Sequence, residues 1–231
     1  MDALIGADGE QARESVVEMC LQLLRDGLVV STAGNVSIRL DDRHVLITPT
    51  GVAYRRMRPA DLPVLRITDG LQVSGDLAPT SEWEMHLRCY QLASPDGEPV
   101  NAVVHTHAPY STAASTLLTT VPNLHYALGA CGGPVRVAEY ATYGSPALAR
   151  AAVAALHERK AALLANHGTL AVGADLDAAY DRTSILEWTC KVWLAARAAG
   201  EPSVISDDDF SKVVEKLKGY GQRSRPATGE A

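Results

Sequence analysis

The sequence predicts a single α/β domain whose central sheet is mixed or antiparallel. Three observations predict it. Apolar, β-branched runs of strand length are interleaved with stretches of helical periodicity along the 231 residues. Two of those runs, VSIRL (36–40) and HVLIT (44–48), are joined only by DDR, which reads as a hairpin rather than a crossover. No repeat and no long linker divides the chain, and one core is within reach at this length.

The elements follow in order. Residues 10–26, EQARESVVEMCLQLLRD, carry apolar side chains at helical spacing, and Gly27 stops them. After the hairpin, VLRIT (64–68) is a third strand. A helix runs from Ser81 to about Leu92 behind Pro79, with Thr80 or Ser81 as its cap. AVVHT (102–106) is apolar and β-branched, hence a strand, and residues 109–118 form a helix. VRVAEY (135–140) is a strand, and SPALARAAVAALHER (145–159) a helix with Pro146 in its first turn. AALLA (161–165) and TLAVG (169–173) are strands. Residues 175–199 form a long amphipathic helix, and a last helix follows SDDD (206–209). One domain is expected over residues 1–221. The polar stretch 222–231 is expected to be disordered.

Composition excludes several classes. The net charge of −6 offers no basic footprint for nucleic acid or an anionic membrane, though a local site can still take a small anion. No apolar run reaches membrane-spanning length, and MDALIGADGE lacks the layout of a signal peptide. The four cysteines are scattered without a CxxC pair, so they read as reduced apolar fillers of a cytoplasmic protein. Neither GxxxxGK[ST] nor GxGxxG is present, which argues against a nucleotide site.

The chemistry concentrates at strand ends. In NAVVHTHAPYSTAAS (101–115), His105 and His107 stand at i and i+2, so they face the same way on a strand. Two such imidazoles can reach one metal ion at about 2.0–2.1 Å, although HxH alone is also found as hydrogen-bonded strand-end residues. In ALLANHGTLAVG a second apolar strand ends at His167. Three histidines fit a catalytic zinc with an open position. His44, His86, His125 and His157 read as structural or exposed. Glu82, in PTSEWEMH, is placed at a fixed entry into its helix, behind two hydroxyl residues and a proline. Three stretches, STAGNVS (31–37), TPTG (48–51) and PTSE (79–82), combine Gly or Pro with hydroxyl and amide groups. Each alone is an ordinary turn; together they can make an anion site without lysine.

The set resembles the class II aldolase/adducin-like family, and within it the zinc enzymes that cleave deoxy-ketose 1-phosphates such as L-fuculose 1-phosphate. The stretches TAGNVSIR, LITPTG, PTSEWEMH, NAVVHTHAPYSTAAS, NLHYALGACGG, YATYGS, LLANHG and VVEKLKGYG carry the resemblance, in order, from about residue 10 to 221. It implies a three-layer α/β/α domain with a mostly antiparallel sheet, assembled as a homotetramer with active sites at subunit interfaces. It implies zinc, one per subunit, on His105, His107 and His167. Glu82 would ligate the ion when substrate is absent and act as base or acid when substrate displaces it. Gly34, Asn35, Thr50, Gly51, Thr80 and Ser81 would hold the substrate phosphate. Tyr126 would be a proton donor in a site shared with a neighbouring subunit, and Tyr220 a tail residue folding over it. The products would be dihydroxyacetone phosphate and an aldehyde such as L-lactaldehyde.

The chain departs from the family's fuculose pattern at Thr80, where serine is common, at Tyr143, where phenylalanine is familiar, and at Leu217, where an aromatic often packs. The last two bear on the aldehyde end of the substrate. A Schiff-base mechanism is disfavoured, because Lys160, Lys191 and the lysines of 212–218 lie on charged or amphipathic stretches. Related L-ribulose-5-phosphate 4-epimerases place aspartate at the position of Glu82 and an acid near Tyr126, whereas VPNLHYALGACGGP (121–134) has neither Asp nor Glu. A methylthioribulose-1-phosphate dehydratase would share the histidines. Non-catalytic adducin-like binding modules lack them.

Overall fold

A computed structural model describes residues 7–92, 97 and 99–217. Tyr220 and the stretch 222–231 lie outside the described residues. Eight strands form one sheet in the order β4-β3-β2-β1-β5-β8-β7-β6. They are β1 (Asn35–Arg39), β2 (His44–Ile47), β3 (Val64–Arg66), β4 (Gln72–Ser74), β5 (Ala102–Thr106), β6 (Val137–Ala138), β7 (Ala161–Leu164) and β8 (Gly168–Gly173). Every pairing is antiparallel except β6 with β7. The expected mixed or mostly antiparallel α/β architecture is therefore the observed one.

Among the described residues, six helices flank the sheet: α1 (Ala7–Arg25), α2 (Trp83–Cys89), α3 (Pro109–Ser115), α4 (Pro146–Leu156), α5 (Leu176–Ala199) and α6 (Asp207–Leu217). Strand alternation divides them into two layers. Val45, Ile47, Val103, Leu164 and Leu170 point at α2 and α4. Val36, Leu46, Ala102 and Val104 point the other way, at α1. Ala161, Leu163 and Ala171 on that second face meet Leu186 and Trp193 of α5 and Phe210 of α6. All four cysteines are buried and unpaired, as expected of apolar fillers.

Local chemistry sets the helix starts. The Asp175 carboxylate accepts the Ala178 N–H at 2.7 Å, and the Ser145 hydroxyl accepts that of Leu148 at 3.1 Å. Pro109 and Pro146 occupy first turns, where their missing N–H costs nothing. Three expectations shift. The cap of α2 is Glu82 rather than Thr80 or Ser81, and its side chain makes no capping bond, so the carboxylate is free for other work. The strand expected over 135–140 shortens to Val137–Ala138, because β6 is a sheet edge that pairs only with β7. Edge strand β4 and the 3₁₀ turns Tyr54–Arg56, Pro59–Asp61 and Tyr126–Cys131 had no periodicity to announce them.

Candidate active site

The sheet centre aims the histidines. On β5, His105 pairs with Asn35 of β1 on one side and Leu170 of β8 on the other. His107 follows one residue beyond the strand end, on the same face. His167 sits in the tight connection between β7 and β8, where Asn166 takes a left-handed φ of 55°. Gly168, next to it, is a point of close approach: a Cβ there would lie 2.0 Å from the Thr106 carbonyl oxygen. Only glycine lets this hairpin press against β5 and bring His167 to the other two rings. The three ring centroids are then 4.8–4.9 Å apart in edge-on arrangements. On the far side of the turn after His107, Glu187 of α5 accepts the N–H groups of Tyr110 and Ser111 at 2.9 and 2.7 Å, anchoring the start of α3.

Glu82 closes the group. Ligand atoms of Glu82, His105, His107 and His167 all lie within 4.8 Å of one another. His105 Nε2 is 3.0 Å from His107 Nε2 and 3.2 Å from Glu82 Oε2, and His167 Nε2 is 3.4 Å from Glu82 Oε1. His105 Nδ1 faces the Thr169 carbonyl at 2.7 Å and so must carry a proton there, which leaves Nε2 as the ligand atom. Two imidazole nitrogens 3.0 Å apart repel unless a proton or cation lies between them. A tetrahedral ion with Zn–N of about 2.0–2.1 Å separates its ligand nitrogens by about 3.3–3.4 Å, close to what is found. Glu82 Oε1 is buried and accepts no hydrogen bond. Converging lone pairs and an orphaned carboxylate oxygen are what a divalent metal ion would satisfy.

Electrostatics agree with that use. Burial pushes the Glu82 carboxyl up, but His105, the Asn35 amide and His167 outweigh it and hold the group ionised, well below the usual carboxylate range. Burial and the neighbouring rings depress His107 to about 3 and His167 to about 4, so both are neutral and their nitrogens can ligate. Burial works against a proton on His105, yet Glu82 beside it raises the group: without an ion, one proton stands in for part of the missing positive charge.

A cavity of about 250 Å³ opens onto this cluster. Gly34, Asn35, Thr50, Gly51, Thr80 and Ser81 line it together with Glu82, His107 and His167. The loops are fixed to one another: Thr50 N–H donates to Ala78 O at 3.0 Å and Thr80 N–H to Thr48 O at 2.9 Å. Gly34 has a φ of 87°, and a Cβ on it would come within 2.8 Å of the His105 carbonyl oxygen, so the loop lies directly on the strand that carries His105. Thr32, Ala33 and Pro49, which belong to STAGNVS and TPTG, also line the cavity. Tyr143 stands at its mouth, 70% exposed. Tyr126 does not line it. That side chain is 58% exposed, stacked on His125 at 4.3 Å, with Trp188 against His125 at 4.8 Å. A larger surface groove of about 730 Å³ holds none of the three histidines, and Glu14, Glu18, Asp175 and Asp177 along it would repel an anion.

Residues 14–194 match the family model described as the class II aldolase and adducin N-terminal domain. The chain belongs to that family, and within it to the class II aldolases, which are lyases. Its relatives narrow the comparison. It is 33% identical over 215 residues to a 5-deoxy-D-ribulose 1-phosphate aldolase of Bacillus thuringiensis, covering 93% of this chain and 99% of the relative. It is 39% identical over 210 residues to the L-fuculose phosphate aldolase of Escherichia coli K12, covering 90% and 94%. A solved L-fuculose 1-phosphate aldolase superposes with a TM-score of 0.85 at 34% identity, covering 90% of this chain and 96% of that one.

Proposed function

We propose that this chain is a zinc-dependent aldolase that reversibly cleaves a deoxy-ketose 1-phosphate into dihydroxyacetone phosphate and a short aldehyde. One observation carries the reading: a single cavity joins a carboxylate–imidazole cluster to a cradle of hydroxyls and tight turns. That spacing suits a substrate with a phosphate at one end and a carbonyl and hydroxyl a few atoms away. L-Fuculose 1-phosphate and 5-deoxy-D-ribulose 1-phosphate share that head and differ by one CHOH in the aldehyde they release.

Zinc is favoured over other divalent ions by three imidazoles and one carboxylate, with His105, His107 and His167 as permanent ligands. When bound, it supplies a Lewis acid for negative charge developing on the substrate oxygens. The protein's own groups do the rest. Thr50, Gly51, Thr80 and Ser81, with Gly34 and Asn35, bind the phosphate and orient the carbonyl end. In the synthetic direction the Glu82 carboxylate removes a proton from C3 of dihydroxyacetone phosphate. C3 then attacks the aldehyde carbon, and Tyr126 donates a proton to the aldehyde oxygen; cleavage is the reverse. General acid–base help of this kind is worth about 10²–10⁴-fold.

Tyr126, Trp188 and Leu117 are all exposed, and Tyr126 and Trp188 both meet the His125 ring, so on this reading the site is completed by a neighbouring subunit. An apolar exposed surface of this kind fits packing against further copies of the chain, as a homotetramer whose Tyr126 reaches a neighbour's cavity. Sedimentation equilibrium tests that assembly. A cytoplasmic location fits four unpaired cysteines.

The decisive experiment incubates the protein with each ketose phosphate and follows dihydroxyacetone phosphate release, with and without a chelator. Chelator-sensitive release is expected. No release from zinc-loaded protein on either substrate would overturn the reading.

A further inference from the structure

Behind Glu82 runs a buried file of polar side chains that the reaction above uses only through Asn35. Strand β1 presents Asn35, Ser37 and Arg39 at i, i+2 and i+4 on one face. Helix α2 presents Glu82, His86 and Tyr90 at i, i+4 and i+8 on one stripe, from its N-cap to its C-cap. The two rows interlock. Asn35 Nδ2 is 2.9 Å from Glu82 Oε2 and 3.1 Å from Thr80 Oγ1. Asn35 Oδ1 is 2.5 Å from His86 Nε2, and His86 Nδ1 is 2.7 Å from Ser37 Oγ. Ser37 Oγ is 2.7 Å from the Tyr90 hydroxyl, and Arg39 closes the far end with its guanidinium 5.1 Å over the Tyr90 ring. His86 and Ser37 are wholly inaccessible to solvent.

The direction of every bond follows from one fact. An ionised carboxylate only accepts, so the Asn35 group facing Glu82 must be the NH₂. Asn35 Oδ1 then faces His86, so His86 Nε2 must carry the proton. His86 Nδ1 is bare and accepts from Ser37, whose oxygen accepts from Tyr90. All donors point toward Glu82. Burial depresses His86 to about 3, so the ring is neutral and has one proton to place.

We propose that His86 is a positioning residue: as the Nε2–H tautomer it locks the Asn35 amide, which pins Glu82 Oε2 and leaves Oε1 as the oxygen free to take a ligand bond or a proton. The reverse amide orientation would set an oxygen against the carboxylate. A His86 proton on Nδ1 would permit it; the Ser37 and Tyr90 hydroxyls can serve either tautomer, so the Glu82 carboxylate, acting through the Asn35 amide, selects Nε2–H. The role in turnover rests on the aldolase reading; the tautomer and the amide orientation do not.

The test combines spectroscopy with two variants. Long-range ¹H–¹⁵N spectra of metal-free, ¹⁵N-labelled wild type at neutral pH are expected to show His86 protonated at Nε2 and bare at Nδ1. His86→Gln can still donate to Asn35 and accept from Ser37; His86→Leu can do neither. His86→Leu is expected to lose about 10–100-fold in kcat with zinc stoichiometry kept and KM little changed, the usual scale for groups behind a metal ligand. His86→Gln is expected to recover most of it and to leave the Asn35 amide signal near its wild-type position. An Nδ1–H tautomer overturns the proposal. So do unchanged kcat in His86→Leu, or equal losses in both variants that merely track their melting temperatures. Where wild type cleaves neither ketose phosphate, the functional reading has failed, and the tautomer and the Asn35 signal still decide the role of His86.

Discussion

The two ends of the cavity are built by different means. The metal end stands on the sheet: β5 and the β7–β8 hairpin hold three imidazoles through ladder bonds, and Glu82 is 6% exposed. The mouth stands on loops, with Tyr143 70% exposed on the turn before α4. On the proposed function, groups that would meet one ion within a few tenths of an ångström sit on the most rigid frame available, and the group that would face the variable part of the substrate sits where substitution disturbs little. Chemistry and specificity are therefore separable, and each can be broken without the other.

The largest effect is expected from His107→Ala. Two imidazoles and a carboxylate remain, with Glu82 still facing both His105 and His167. Tight metal binding should be lost, with kcat/KM falling by at least about 10³-fold, about 4 kcal/mol of transition-state stabilisation. Metal content after dialysis and initial rates check it; a full complement of tightly held zinc would remove His107 from the ligand set. Glu82→Gln should behave differently. Its three imidazoles keep the ion, while turnover falls by about 10²–10⁴-fold. Normal turnover in that variant would leave Glu82 without a proton role.

The same contrast decides what could be read from sequence. The metal end was legible because strand period and apolar runs are strong signals: HTH at the end of AVVHT, NHG after ALLA and the hairpin over 36–48 all fall where expected. The cradle was legible as turn chemistry, and TPTG and PTSE do meet across one cavity. Tyr126 could be singled out only by resemblance, and a single chain leaves it on the surface. His86 was read as structural or exposed; its i, i+4 relation to Glu82 and Tyr90 was present, but only the pairing of α2 against β1 turns that spacing into a hydrogen-bonded file. Strand β4 had one apolar residue, Val73, and no period to detect.

Packing so many imidazoles into the core has a smaller, pH-dependent consequence. In the metal-free protein His86 and His107 are depressed to about 3 and His167 to about 4, against 6.5 for a free side chain. The unfolded chain thus binds more protons below about pH 6.5, so stability must fall as pH falls from there. His86 alone should remove about 2 kcal/mol between about pH 6.5 and about pH 5. The other two rings add less, because solvent reaches them. His105 acts with the opposite sign: its raised value contributes stability below about 6.5 that is lost as pH rises through the folded value. Thermal melts in chelator at several pH values should trace a maximum near neutrality. A melting temperature flat between about pH 7 and about pH 5 would mean these rings take up protons as readily in the folded protein as in the unfolded chain.

The smallest effect belongs to the mouth. On the proposed function, L-fuculose 1-phosphate and 5-deoxy-D-ribulose 1-phosphate would present the same atoms to the metal and the cradle, so discrimination would come from whatever meets the extra CHOH of the larger aldehyde. Tyr143 lines the cavity and brings a phenol hydroxyl to it. A hydrogen bond made in a largely wet site is worth about 0.5–1.5 kcal/mol, which is about 2–13-fold. Tyr143→Phe should therefore shift the ratio of kcat/KM for the two ketose phosphates by no more than about tenfold, against the one with the additional hydroxyl, while zinc content stays fixed. A change that lowered both values equally would place Tyr143 with the metal end, and rigid chemistry would then extend to the loops.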